Sequence, residues 1–262
     1  MASRNGLNPK IRGPKGVGYG RALPAAFGFG NGIFPDGSND YMTIPSLVGK
    51  ALPDQFTVEI WTKYPDPVND LAAIIEIETN NNFILIVRSQ QPLGLTANFA
   101  NTSNYSVSLP SDTRKTSIAY GIDLLNNKAY SYFPGSNIFS SSYDFSSSRG
   151  IPLNNFKFFQ AEAFVTQQSN AGIDEFRLYN GLITNDQFVL NYNNGIGNNP
   201  FETENLLVWY KFEKFETLDF SSLQDGSDMR LGIRDLSGHN NHAQPFNMDT
   251  DPLSETYVLR PF

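Results

Sequence analysis

Two acidic side chains share one face of an apolar segment, and their spacing raises the question of acid–base chemistry. The segment reads Ile75-Glu76-Ile77-Glu78, and alternate residues of an extended strand point to the same side. Glycoside hydrolysis needs two carboxyl groups that flank the scissile bond from opposite sides. Glu76 and Glu78 would instead stand side by side, so we expect an exposed acidic strand face and no catalysis.

The two histidines, His239 and His242, are the other residues whose spacing could support chemistry. A His-x-x-His pair could supply two ligands to zinc, but the chain contains no cysteine and offers no clear third ligand. The Gly- and Asn-rich sequence around the pair predicts a solvated turn. No nucleophile-elbow glycine pattern is present, so a hydrolytic triad is not expected either.

Charge is divided unevenly along the chain, whose formal net charge is −7. The basic residues that precede the first acidic residue, Asp36, are Arg4, Lys10, Arg12, Lys15 and Arg21. Gly and Pro in the same stretch oppose helix, so residues 1–25 are predicted to form an extended arm. This arm is either a solvated tail or a segment that docks on an acidic neighbouring surface. Nucleic acid is a weaker candidate partner, because the acidic remainder of the chain would repel phosphates.

The sequence shows no targeting or membrane segment. Its N-terminus lacks the apolar core of a signal peptide, and no apolar run approaches membrane-spanning length. We therefore expect a protein that is soluble or assembled into a larger particle.

The elements that must position these residues are mainly β-strands. The chain has 21 Phe and 12 Tyr, which favour pleated and half-buried surfaces. Residues 56–63 alternate apolar and other side chains as a half-buried strand does, and the Ser-rich residues 136–149 are predicted to be a surface loop. One short helix should follow Thr184, because Thr184 and Gln187 form a capping-box pattern and Gly195 can end the helix. The pattern predicts an all-β sandwich with one helix.

Two stretches resemble a known family. The first is FPDGSNDYMTIP followed by FTVEIWTKYP, at residues 34–45 and 56–65. The second is AGIDEFRLYNGLITNDQFVLNYNNG, at residues 171–195. In order and spacing they resemble the opening hairpin and the closing strand and helix of laminin-G-like, concanavalin A-like jelly rolls. The resemblance implies a concanavalin-like β-sandwich over roughly residues 26–195.

A third stretch resembles the opening strand of the same family but lies at the wrong end of the chain. It comprises residues 206–213 and residues 233–243, after the closing helix. Either residues 196–262 return to complete the same sandwich, as in a circular permutation, or they exchange a strand with a neighbouring copy. We favour completion within the chain because the connection at residues 196–205 is short.

The resemblance also implies candidate sites. Related sandwiches hold a structural calcium ion, and the matching positions here are Asp36 and Asp174, whose alternative roles are a turn and an ion pair with Arg177. Jelly-roll lectins stack sugars on aromatic rings, for which the candidates are Tyr41, Trp61, Tyr64 and Tyr105. The related glucanases carry a third strand carboxylate that is missing after Glu78, so the chain is expected not to be an enzyme.

The absence of cysteine, the basic arm and the richness in Asn and Phe are similar to virion proteins of tailed phages, including crAss-like phages. The leading hypothesis is a non-enzymatic virion structural protein that decorates a capsid, a head fibre or a tail. Its partners would be other virion proteins, with a homo-oligomer also open. The alternative is a glycan-binding adhesion module for a host cell surface.

Overall fold

Residues 56–63, whose alternation predicts a strand, lie at the centre of a large antiparallel sheet. A computed structural model describes residues 30–36, 39–63, 73–80, 82–90, 94–100, 102–108, 115–134, 138–160, 171–221, 229–254 and 257–262. Within these ranges the protein is mostly β with one short helix, as the sequence predicts. The predicted arm, residues 1–25, lies outside the described residues.

The first sheet consists of β1 (Asn31–Ile33), β3 (Gln55–Lys63), β8 (Lys115–Asp123), β9 (Lys128–Tyr132), β10 (Phe139–Ser142), β12 (Gly172–Asn180), β13 (Leu206–Tyr210) and β17 (Leu259–Pro261). Their order in the sheet is β10-β9-β8-β3-β12-β1-β17, and β13 also pairs with β12. The strand β10 falls inside the stretch predicted to be a loop. That prediction is wrong for these four residues, because the backbone of β10 pairs with β9 while its side chains remain exposed.

The second sheet has the strand order β16-β2-β11-β4-β5-β6-β7. Its strands are β2 (Tyr41–Thr43), β4 (Ala73–Thr79), β5 (Asn82–Gln90), β6 (Gly94–Phe99), β7 (Thr102–Ser108), β11 (Leu153–Phe158) and β16 (Gln244–Phe246). A separate hairpin consists of β14 (Glu216–Asp219) and β15 (Met229–Gly232).

The hydrophobic core lies between the two sheets. Phe158 of the second sheet meets Phe176 of the first edge-to-face, with ring centroids 4.9 Å apart. Val58 and Ile60 of β3 belong to the same buried cluster as Ile77 of β4. Interdigitation of the two inner faces is what holds a sandwich together, because each sheet removes the apolar face of the other from water.

The C-terminal quarter of the chain contributes to both sheets. In β13, Trp209 lies opposite Arg177 of β12. In β16, Phe246 lies opposite Tyr41 of β2, and β17 pairs with β1. Strands from residues 206–262 therefore lie beside the strands that the family resemblance assigned to residues 26–195.

The helix α1 (Asn185–Tyr192) begins with the predicted capping box. The Thr184 side chain accepts a hydrogen bond from the backbone N–H of Gln187, and the Gln187 side chain accepts one from the backbone N–H of Thr184. The helix ends before the predicted Gly195, because Asn193 already adopts the left-handed conformation, with φ of 44°. Among the residues that the structure describes, no helix is both long enough and apolar enough to span a lipid bilayer.

Candidate functional site

A strip of half-buried aromatic and polar side chains lies on the outer face of the second sheet. Because Met42 and Phe158 point into the core, their neighbours Tyr41 and Lys157 point outward. Tyr41 stacks on Phe246 with ring centroids 4.8 Å apart and planes 6° apart. The Nζ atom of Lys157 lies 5.9 Å from the Tyr41 ring centroid. We call Tyr41, Lys157 and Phe246 the aromatic strip.

The acidic strand lies next to the aromatic strip on the same face. Glu76 lies opposite Lys157 in the pairing of β4 with β11. The Nδ2 atom of Asn155 donates a hydrogen bond of 2.9 Å to Oε2 of Glu78. Glu76 is fully buried, so the prediction of an exposed acidic strand face is wrong for this residue. Asn80 occupies the next outward position, where a third carboxylate would be needed for the glucanase pattern.

Helix α1 covers the outer face of the first sheet at Trp61, so this side chain is not accessible to a ligand. Its indole stacks on Tyr192 of α1 with centroids 5.5 Å apart, and only 1% of Trp61 is exposed. A sugar needs an accessible ring face. The prediction that Trp61 binds carbohydrate is therefore wrong, because the helix occupies the ring face that a sugar would use.

A buried ionic network lies beside Trp61 under the same helix. Arg177 is fully buried, and its Nη atoms lie 3.3 Å from a carboxylate oxygen of Glu59 and 3.3 Å from one of Glu175. Asn191 of α1 donates a hydrogen bond of 2.7 Å to Glu59, and Trp209 donates one of 2.8 Å to Glu175. The network ties the helix to β3 and ties β13 to β12.

Burial controls the protonation of this network. Loss of hydration raises the pKa of Glu175 to about 7, against the opposing effects of Arg177 and the Trp209 hydrogen bond. Burial alone would lower the pKa of Arg177, but Glu59 and Glu175 hold it above its usual value. The guanidinium stays charged, and the pKa of Glu175 lies near neutrality.

The histidine pair belongs to a folded turn between β15 and β16 that is hydrogen-bonded to β13. Both carboxylate oxygens of Asp235 accept hydrogen bonds, including 3.0 Å from the backbone N–H of Trp209 and 2.9 Å from that of Asn241. The Nδ1 atom of His242 accepts a hydrogen bond of 3.1 Å from the backbone N–H of Asp235. His242 is 7% exposed, so the prediction of a solvated turn is wrong for it, whereas His239 is exposed.

The two predicted calcium positions differ in environment. Asp36 is exposed, and its backbone N–H donates a hydrogen bond of 3.0 Å to the buried Asp40. Asp174 is buried at the register shift between Ile173 and Phe176 of β12. Among the described ranges, no group of three or more His, Asp or Glu side chains is arranged to hold a metal ion. Calcium at Asp36 and Asp174 stays a prediction.

Most of the remaining predicted residues lie outside the part of the chain that the structure describes. Tyr105 belongs to β7, but its side chain is not among those described. Tyr64 and the arm residues Arg4, Lys10, Arg12, Lys15 and Arg21 lie outside the described residues. Of the four predicted sugar-binding residues, the structure thus places Tyr41 on an accessible face and Trp61 under a helix.

Sequence reasoning missed Phe246 and Lys157. The sequence around Phe246 is Gln244-Pro245-Phe246, and a proline inside a strand indicates an edge position. That signal could have marked β16 as an edge strand. It could not have shown that this strand pairs with β2, about two hundred residues earlier in the chain.

Comparisons with known proteins agree with this architecture. Residues 36–187, more than half of the chain, match the laminin G family described as the concanavalin A-like lectin/glucanases superfamily. No curated protein matches the sequence.

Solved structures with a similar fold come from several organisms. A Bacteroides ovatus protein named as a candidate carbohydrate-binding protein is 18% identical over 82% of this chain and 57% of its own, with a TM-score of 0.55. The heptameric SAP-like pentraxin of Limulus polyphemus is 13% identical over 61% of this chain and 80% of its own, with a TM-score of 0.47. The CBM40 of the Ruminococcus gnavus IT-sialidase is 15% identical over 60% of this chain and 94% of its own, with a TM-score of 0.45.

These likenesses concern the fold, and this chain spans little more than half of the Bacteroides ovatus protein. The matched residues 36–187 include β2 of the aromatic strip, the acidic strand β4, most of the covered face and the start of helix α1. The chain belongs to the concanavalin A-like lectin/glucanases superfamily.

Proposed function

We propose that this protein is a non-enzymatic carbohydrate-binding module. The observation that carries the proposal is the aromatic strip, in which a stacked Tyr–Phe pair and a lysine remain partly exposed on the outside of a rigid sheet. Such a surface offers apolar ring area together with polar donors, which is the combination that holds a sugar. Membership of a lectin superfamily and the fold of the Bacteroides ovatus protein support the class of ligand.

The acidic strand does not favour hydrolysis. Glu76 and Glu78 project from one strand, and Asn80 stands where a third acid would follow. Glu78 accepts a hydrogen bond from the side-chain amide of Asn155. Glu76 is fully buried, so the strand does not offer the two accessible carboxyl groups that glycoside hydrolysis needs.

The proposal is tested by titrating soluble oligosaccharides into the purified chain. Replacing Lys157 and Tyr41 together by alanine should weaken binding at least about tenfold, since ~1.4 kcal/mol of lost contact has that effect. Phe139→Ala is the matched control, because Phe139 is an exposed aromatic on β10 of the other sheet. Wild-type protein that is folded but binds no oligosaccharide would refute the proposal.

A virion structural protein is the second candidate, and the basic segment favours it. Five cationic side chains before residue 36 can bind an acidic capsid or tail surface, and such attraction weakens as salt rises. This role is compatible with glycan binding by the sandwich. Deleting residues 1–25 should abolish incorporation into particles, and unchanged incorporation would contradict this candidate.

For the domain organisation, we propose that residues 196–262 replace the missing opening strand of the jelly roll. Pairing of β13 with β12 inside one chain supports completion over exchange with a neighbour.

For calcium at Asp36 and Asp174, the test is a thermal melt with and without chelator. If calcium binds at these residues, adding a chelator should lower the melting temperature of the protein. An unchanged melting temperature would contradict the calcium prediction.

A further inference from the structure

A groove lies between residues 211–216 and residues 233–236, and it encloses about 200 Å³. Pockets that hold drug-sized ligands measure about 300–1,000 Å³, so this groove suits a molecule the size of one sugar ring. Phe212 and Ile233 line it and also belong to the buried core, whereas Leu236, which lines it too, is exposed. None of the lining residues belongs to the aromatic strip, so the groove is a separate candidate site. We call it the charged groove.

The charged side chains that line this groove carry a net positive charge. The cations are Lys211, Lys214 and Arg234, and the carboxylates are Glu213 and Glu216. Three cations and two carboxylates sum to a charge of +1, in a chain whose formal net charge is −7. A local excess of positive charge attracts an anionic ligand.

Both carboxylates of the charged groove already accept hydrogen bonds. Oε2 of Glu213 accepts one of 3.1 Å from the backbone N–H of Asn31. Oε2 of Glu216 accepts one of 2.8 Å from Nε of Arg234, and its Oε1 lies 3.1 Å from Nζ of Lys214. The hydrogen bonds from Arg234 and Lys214 hold the pKa of Glu216 below its usual value, so this carboxyl group is charged near neutral pH.

Arg234 and Lys214 share this single carboxylate and keep donors that it does not use. A guanidinium group has five N–H donors and an ammonium group has three. Glu216 accepts from Nε and Nη2 of Arg234, which leaves Nη1 for another acceptor. The side chain of Lys214 is 71% exposed and that of Arg234 is 49% exposed, so a ligand in the groove can reach both. A carboxylate is the acceptor that makes the strongest hydrogen bonds with such donors.

We infer that the charged groove is a second binding site and that its ligand is a monosaccharide unit that carries a carboxylate. The carboxylate contacts Arg234 and Lys214, and the sugar ring packs against Leu236. The sugar part of the inference rests on the proposed function, and the carboxylate part rests on the groove. A neutral sugar of the same shape would lack the charge-assisted hydrogen bonds and would bind more weakly.

The experiment compares each carboxylated sugar with its own methyl ester, which keeps the ring and removes the charge. Methyl glycosides of glucuronic, galacturonic and N-acetylneuraminic acid, and their esters, are titrated calorimetrically into the whole chain. At least one acid should bind at least about tenfold more tightly than its ester at low salt, and the difference should shrink at high salt. Acetate, which has the charge without the ring, should bind at least about tenfold more weakly than that acid.

Three variants locate the site. Arg234→Gln should weaken binding of the acid at least about tenfold and leave binding of the ester unchanged. Glu216→Gln should strengthen binding of the acid severalfold, because it removes a carboxylate that competes for both cations, and a purely structural role of Glu216 would not produce tighter binding. Arg149→Gln is the matched control, since Arg149 is also an exposed arginine paired with a carboxylate but does not line the groove. Thermal melts check that each variant is folded.

The outcomes separate this inference from the proposed function. An ester that binds as tightly as its acid would overturn the carboxylate, and acetate that binds as tightly as the acid would overturn the sugar part. Binding of an acid that survives in Arg234→Gln but is lost when Tyr41 and Lys157 are replaced would place the ligand on the aromatic strip, against this inference and in favour of the proposed function. Neutral oligosaccharides that bind while every acid fails would have the same meaning. Absence of binding to all of these sugars by the folded chain would overturn both.

Discussion

The outer faces of the two sheets each carry a stacked aromatic pair, and the two pairs differ in what covers them. Trp61 and Tyr192 stack at 5.5 Å on the first sheet, where helix α1 closes over the indole. Tyr41 and Phe246 stack at 4.8 Å on the second sheet, at an edge where both rings stay partly exposed. The same kind of contact is thus buried under a helix on one face and partly exposed to solvent on the other.

The charged groups follow the same division. On the covered face, Arg177 is fully buried between Glu59 and Glu175. On the open face, Lys157 lies over a ring with part of its side chain in solvent. A buried charge without its partners is costly, whereas a surface charge is hydrated. Substitutions on the first face should therefore change stability, and those on the second should change affinity.

The largest expected effect comes from breaking the buried network. Arg177→Met leaves Glu59 and Glu175 buried without their cation, and we expect a loss of about 3–5 kcal/mol in the free energy of unfolding. Urea denaturation measures it. Arg149→Met is the control, because the pair of Arg149 with Asp54 is exposed to solvent and should contribute far less to stability. A similar loss in both variants would contradict the proposed contrast between buried and exposed charges.

The two aromatic pairs should respond in opposite ways to truncation. Trp61→Ala removes a ring that packs under α1, and we expect it to destabilise the protein by about 3 kcal/mol or more. Its affinity for an oligosaccharide should remain that of the wild type under folding conditions. Unfolding and titration of the same sample check both statements, and a weakened affinity in a fully folded Trp61→Ala would mean that the covered face takes part in binding.

The stability of the protein should depend on pH through Glu175, which lies in the buried network on the covered face. The folded-state pKa of Glu175 is about 7 and lies above its ordinary value, so the folded protein binds an extra proton between those values. This stability is fully present below about pH 4.5 and is lost as pH rises through about 7, on the order of 3 kcal/mol. Denaturation at several pH values should show the slope in wild type and not in Glu175→Gln. An equal slope in both would assign the titration to another group.

The turn around His242 should give the opposite and smaller pH response. Burial lowers the pKa of His242, against the attraction of Asp235, and its Nδ1 already accepts a backbone hydrogen bond. The unfolded chain therefore binds a proton more readily, and stability is lost as pH falls below about 6.5. Comparing wild type with His242→Gln between pH 7.5 and pH 5 measures this. Greater relative loss in the variant would contradict the assignment.

Local patterns in the sequence predict much of the fold but not the coverage of its faces. The alternation of residues 56–63 places Trp61 and Glu59 on one side of β3, and the capping box places the start of α1. Neither pattern shows that Tyr192 will lie on Trp61, because that contact joins residues 131 positions apart. The sequence alone therefore could not show whether the Trp61 ring is exposed to a sugar or buried under the helix, because tertiary packing decides this.

The aromatic strip was less predictable for the same reason. Tyr41 follows the hairpin pattern of its family, but Phe246 comes from a short edge strand with no alternation to reveal it. Burial of His242 was also missed, since its sequence neighbours are turn-forming residues while its environment is set by Asp235 and Phe220. Pairing of β16 with the distant β2 accounts for the first difference, and packing within residues 206–262 accounts for the second.

The late position of β16 has a consequence for synthesis of the protein. Tyr41 leaves the ribosome about two hundred residues before Phe246, its partner in the strip. A chain arrested before residue 244 would contain the acidic strand, the covered face and Tyr41, yet it would lack Phe246. We therefore expect the stacked pair of the aromatic strip to form only after residue 246 has left the ribosome and β16 can pair with β2.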